Sequence, residues 1–112
     1  MTAVKMPAKY RDVIEAHDWS ITDCTFANDK PGYELRKYSP AGEDFGFAVE
    51  ADDIVNEVVR YSNTFDPDEH IEMWIMARHN GVAGIPSTRE LVEDADAIEV
   101  MLEELAIALK QC

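Results

Sequence analysis

Apolar residues recur at intervals of two in the first half of the chain and of three to four in the second, and this change of period divides the sequence. Phe45, Phe47, Val49 and Ala51 alternate with Asp44, Gly46, Ala48 and Glu50, the pattern of a strand with one buried face. Two earlier runs have the same texture. From Ser20 the chain reads SITDCTFAND, and Tyr33, Leu35 and Lys37 alternate with Glu34, Arg36 and Tyr38. Asn28-Asp29-Lys30-Pro31-Gly32 and Ser39-Pro40-Ala41-Gly42 are dense in turn-forming residues, so three strands follow one another through short turns. Short turns exclude parallel crossovers, and the prediction is an antiparallel meander.

Helical spacing surrounds this block. Tyr10, Val13, Ile14 and His17 predict a short amphipathic helix over Pro7 to Trp19, with the proline suited to the first turn. Beyond Ala51 the whole pattern is helical. Asp52 or Asp53 can cap a segment whose face is Ile54, Val55, Val58, Val59 and Ser62, ending near Asn63. The next helix starts in FDPDEHIEMW and stops at Asn80-Gly81, a carboxy-terminal stop signal. Its start is strongly written. Asp66 can accept a free amide, Pro67 occupies the first helical position, Asp68 and Glu69 lie at the positive end of the dipole, and Phe65 can pack on His70 or Ile71.

The last helix follows Ser87-Thr88-Arg89-Glu90, which fits a capping box. Leu91, Ala95, Ile98, Leu102, Leu105 and Leu109 form an unbroken apolar seam, and Glu90, Glu93, Asp94, Asp96, Glu99, Glu103 and Glu104 fall mostly off it. Val92, Val100 and Ile107 lie together on a second side. A helix with two apolar sides meets two neighbours, here another subunit or a second helix of the same domain. The architecture expected is α+β in a single domain, residues 1 to 112: a helix, a three-stranded antiparallel sheet, then three helices packed on one face of it.

Composition adds little to this fold and more to its surface. With 112 residues, 46% hydrophobic and 29% charged, the chain can build one modest core. No stretch approaches the roughly 20 apolar residues of a membrane span, and MTAVKMPAKYRD has no secretory apolar run. Cys24 and Cys112 have no metal-site spacing, so reduced thiols and a cytoplasmic setting are expected. The net charge of -13 is uneven: residues 1–42 carry six acids and six bases, and residues 43–112 carry seventeen acids and four bases. Such a field repels nucleic acid and anionic membrane, so neither is an expected direct partner.

Candidate chemistry dissolves on inspection. His70 and His79 are nine positions apart, about half a turn at about 100° per residue, and project from opposite sides of a regular helix. His70 and Glu72 are also off-face, and Glu72 and His79 are two turns apart, so no metal is expected. Neither cysteine sits in a nucleophile's turn, and Ser39-Pro40-Ala41-Gly42-Glu43-Asp44 is accounted for as a hairpin loop. Gly81-Val82-Ala83-Gly84-Ile85-Pro86 lacks a P-loop lysine and precedes Glu90 and Glu93, so it predicts no phosphate cradle. Ile71, Met73, Trp74, Ile75, Met76 and Ala77 are apolar on nearly all sides. A central position explains that, while Met73, Trp74 and Met76 are also the residue types interfaces favour.

The segment from Tyr38 to Leu109, through YSPAGEDF, FDPDEHIEMW and GIPSTRELVEDA, resembles a family of small acidic proteins encoded on bacterial conjugative and phage-like elements. The resemblance implies a bacterial accessory protein, in its sharper form one acting against a host defence system, and supplies no catalytic residues. The function expected is therefore protein binding without catalysis, cofactor or metal, with a homodimer left open. One alternative is an inhibitor whose carboxylates imitate DNA phosphates and occupy the basic groove of a defence nuclease, a basic nucleic-acid-binding protein. A small carboxylate-dependent enzyme is the other. The contact residues expected are Asp66, Asp68, Glu69 and Glu72, the apolar Met73, Trp74 and Met76, and Glu90, Glu93, Asp94, Asp96, Glu99 and Glu103.

Overall fold

The computed structural model describes residues 6–40, 42–79 and 88–112, and for 74–79 and 88 the backbone alone. Its elements are helix α1 (Ala8–Ala16), strands β1 (Ser20–Thr25), β2 (Pro31–Tyr38) and β3 (Asp44–Glu50), and helices α2 (Ile54–Thr64), α3 (Pro67–His79) and α4 (Thr88–Lys110). The sheet is an antiparallel meander in the order β1-β2-β3. The fold is α+β, with the helices after the sheet as the spacing predicts.

Register explains why one face of the sheet is apolar. Ile21 pairs with Leu35, which pairs with Phe47, and Tyr33 pairs with Val49. These positions alternate with Ser20, Arg36 and Gly46, and with Thr22, Glu34 and Ala48, on the opposite face. A strand's period of two separates the sets completely. Tyr33, Leu35, Phe45, Phe47 and Val49 join Ile14 of α1, Ile54 and Val58 of α2 and Ile98, Leu102, Leu105 and Leu109 of α4 in one core. All six seam residues, Leu91, Ala95, Ile98, Leu102, Leu105 and Leu109, are buried, each large one contributing about 1.5–3 kcal/mol. α4 packs against α1, α2 and α3, while α1 lies on β1 and α2 on β3.

Two element ends differ from the spacing. α1 stops at Ala16 rather than Trp19, because Asp18 takes a left-handed φ of 67°. The Trp19 N–H then donates to the Ile14 carbonyl at 3.1 Å and the Asp18 N–H to the Glu15 carbonyl at 3.0 Å. That pair is a Schellman motif, and it turns Trp19 into the core beside Phe47, their rings perpendicular at 5.7 Å. At α2, Asp53 holds the cap position without capping a backbone amide; its carboxylate accepts from the Asn56 amide at 2.9 Å. The α3 start follows the sequence closely. The Asp68 N–H donates to Asp66 Oδ1 at 3.0 Å, and the Phe65 and His70 rings meet at 5.6 Å. The Asn80-Gly81 stop, the Gly84-Ile85-Pro86 loop and Ser87 of the capping box lie outside the described residues.

Candidate interaction surface

The turn between β2 and β3 is held from two sides. Ser39 is buried, and its hydroxyl donates to Asp94 Oδ2 of α4 at 2.8 Å while accepting the Glu43 N–H at 3.1 Å. Four residues on, the Glu43 carboxylate lies 2.9 Å from Nε2 of His70 in α3. Both members of that pair are mostly buried, and the His70 ring sits 5.8 Å from Phe45. Polar groups removed from water need partners, so these contacts fix both helices to the turn. Asp94 thus departs from the expectation of a solvated acid: it is only 5% exposed. Its helical position falls at the margin of the seam, where Ser39 supplies a donor.

Two depressions lie near these contacts, the first reaching the turn at Pro40 and the second reaching His70. One of about 250 Å³ is lined by Pro40, Glu90, Glu93 and Asp94. The other, of about 190 Å³, lies between the end of α2 and the start of α3, with Tyr61, Phe65, Asp66, Glu69, His70 and Met73 among its walls.

The outward face of α4 is the second feature. Val92, Val100 and Ile107 are 42%, 49% and 55% exposed, so no described helix covers the second apolar side. Asp96 precedes Val100 by four residues, and Glu103 and Glu104 follow it by three and four. Such neighbours share a face. Glu103 and Glu104 bracket Ile107 from the other direction. Asp96, Glu103 and Glu104 are exposed and Glu99 is half-buried. Arg89 approaches Glu93 at 3.8 Å at one end of the row; among the described residues Asp96, Glu99, Glu103 and Glu104 form no ion pair.

The sheet's solvent face is different. There Arg36 pairs with Glu34 and, at 3.3 Å, with Asp44, and Lys30 reaches Glu50 at 3.6 Å. Its charges are mutually compensated, whereas those of the α4 face are open. On α3, Asp66, Asp68, Glu69 and Glu72 are all exposed, and Met73 is 64% exposed rather than central. The side chains of Trp74 and Met76 lie outside the described residues.

Titration adds detail at three groups. Burial pushes the Tyr61 hydroxyl above the ordinary phenol range, and it does the same to Tyr33, where the Asp23 charge adds to it. The Cys24 thiol is raised by burial and then by the charges of Glu34 and Asp23. Among the described residues no three His, Cys, Asp or Glu side chains are placed to hold a metal ion, and no helix is long and apolar enough to cross a membrane.

Sequence spacing gave no signal for the Ser39–Asp94 and Glu43–His70 contacts, whose partners are 55 and 27 residues apart. The second side of α4 was legible as a pattern, and its exposure was not. Compared with protein-family models, curated proteins and solved structures, the chain matches none.

Proposed function

We propose that this protein acts by binding another protein, without catalysis, and that the partner presents a basic surface to the outward face of α4. The observation that carries this reading is the combination on that face of exposed Val100 and Ile107 with unpaired Asp96, Glu103 and Glu104. Exposed apolar residues rimmed by charge are a common form of contact surface. The charge selects among occupants. A second copy of the chain would set these carboxylates against their own kind, which is destabilising, whereas Lys and Arg on a partner would be attracted and steered.

A DNA-mimic reading draws on the same carboxylates. It requires acids in a row at about 7 Å, the spacing of phosphates along a strand. Val92, Val100 and Ile107 interrupt the row, and a groove built for phosphates offers them no complementary apolar surface. They favour the contact with a basic amphipathic element.

The test is capture from a bacterial lysate by the intact protein, by Val100→Glu/Ile107→Glu, and by Asp96→Asn/Glu103→Gln/Glu104→Gln. All five substituted positions are exposed, so the fold should tolerate them. Partner capture should fall with both variants and weaken at about 0.5 M salt, where screening acts within about 4 Å. A phosphate-binding groove would instead retain the Val100→Glu/Ile107→Glu protein. Capture indifferent to every substitution would overturn the proposal.

A further inference from the structure

The depression between α2 and α3 has the chemistry of a receptor for one organic cation, and we infer that it takes an arginine side chain of the basic partner. This rests on the reading that the partner is basic. The cavity is about 190 Å³, below the range of about 300–1,000 Å³ typical of drug-sized ligands, so it suits a side-chain head group. Tyr61 and Phe65 are among its lining residues, their ring centroids 6.4 Å apart, with one face of the Tyr61 ring stacked on Phe47 at 4.4 Å. Aromatic faces attract cations within about 6 Å, guanidinium most often. The exposed residues Asp66, Glu69 and Met73 also line it.

The positive charges nearest the cavity are compensated. Nε2 of His70 is engaged by Glu43, which compensates any positive charge the ring carries. On α2, Arg60 is held by Glu57. The amino-terminal end of α3 carries a partial positive charge of about half a unit, outweighed by Asp66, Asp68 and Glu69 together. Among the described residues Asp66 and Glu69 form no ion pair, though Asp66 accepts the Asp68 N–H. An anion would meet these carboxylates, and an apolar group would leave them without a counter-charge. A guanidinium satisfies both the rings and the acids.

The experiment is a titration of the isotope-labelled full chain, followed by amide and side-chain NMR shifts, with N-acetyl-arginine amide, its lysine and glutamate counterparts, and a peptide with a single arginine. The variant is Asp66→Asn/Glu69→Gln, which keeps a competent cap at residue 66. Saturable shifts at Tyr61, Phe65 and Glu69 with the arginine probes are expected. The glutamate probe should give none, and the variant should bind the arginine probes about fivefold more weakly or worse. Equal shifts with glutamate, or no shifts with arginine, would overturn the inference. So would a variant that binds as well as the parent protein. Lysate capture separates this inference from the function it rests on. If the α4 variants lose the partner while Asp66→Asn/Glu69→Gln retains it fully, the cavity is not a partner site although the binding function stands.

Discussion

The Ser39 hydroxyl donates to the buried carboxylate of Asp94 at 2.8 Å, joining a hairpin turn to a helix 55 residues later in the chain. Ser39→Ala removes that donor and also the acceptor of the Glu43 N–H. A hydrogen bond to a charged group is worth about 1.5–3 kcal/mol. Urea denaturation of Ser39→Ala should register a loss of that size, and a change below about 0.5 kcal/mol would show that the clasp contributes little.

Gly32 and Gly46 lie on the sheet face away from the core and should respond differently to alanine. A Cβ at Gly32 would meet the Phe26 ring and come within 2.6 Å of the Val49 carbonyl oxygen. Backbone cannot yield cheaply there, and overpacking of this kind costs about 1–3 kcal/mol. At Gly46 the obstacle is the Arg36 side chain, whose Cγ would lie at 2.8 Å. Gly46→Ala should cost less than Gly32→Ala in the same denaturation assay, because Arg36 can shift at the expense of its exposed pairs with Glu34 and Asp44, whereas the Val49 backbone cannot move as readily.

The α4 helix separates packing from surface. Leu102 is fully buried and Val100 half-exposed. Leu102→Ala should destabilise by about 2–5 kcal/mol, while Val100→Ser should stay within about 0.5 kcal/mol. Thermal unfolding of the two variants distinguishes them directly.

Alkaline pH should weaken the fold through its tyrosines. Tyr33 and Tyr61 have hydroxyl pKa values raised by burial. A raised folded-state value means that the stability is complete below the unfolded pKa of about 10 and is lost as pH rises through the folded value. The urea midpoint should therefore hold up to about pH 8, begin to fall near pH 9 through the raised Cys24 thiol, and fall further above about pH 10 through the tyrosines. Tyr61→Phe should lessen the fall, with tyrosinate absorbance reporting the ionisation.

The two thiols should react at different rates. Cys112 is exposed, whereas Cys24 is half-buried and its thiol is raised by burial and by Glu34 and Asp23. Alkylation requires the thiolate. Iodoacetamide at about pH 8 should label Cys112 first, as peptide mass mapping over time would record, and faster labelling at Cys24 would contradict the burial.

Elements whose shape is set by neighbouring residues were legible in the sequence. The alternation of Phe45, Phe47 and Val49, the α4 seam and the Asp66-Pro67 helix start all depend on contacts within a few positions. The left-handed Asp18 that ends α1 early was not legible, because aspartate gives weaker notice of that conformation than glycine. Asp94 looked like its acidic neighbours, since its burial depends on where Ser39 arrives in space. The same limit applied to the α2–α3 cavity. Tyr61, Phe65 and Glu69 recur every four positions, yet a helix break at Phe65 and Asp66 separates them, so helical spacing alone could not place them around one cavity.

The position of α4 has a consequence for how the chain comes into being. It is the last described element to emerge in synthesis, and it alone packs against all three other helices. Until it docks, α2 and its buried Val58 lack their α4 neighbour in the core. A nascent chain halted before residue 88 would hold a formed or forming meander with an apolar face open to solvent, the kind of intermediate prone to aggregation. Docking of α4, more than formation of the sheet, is then the step that closes the core.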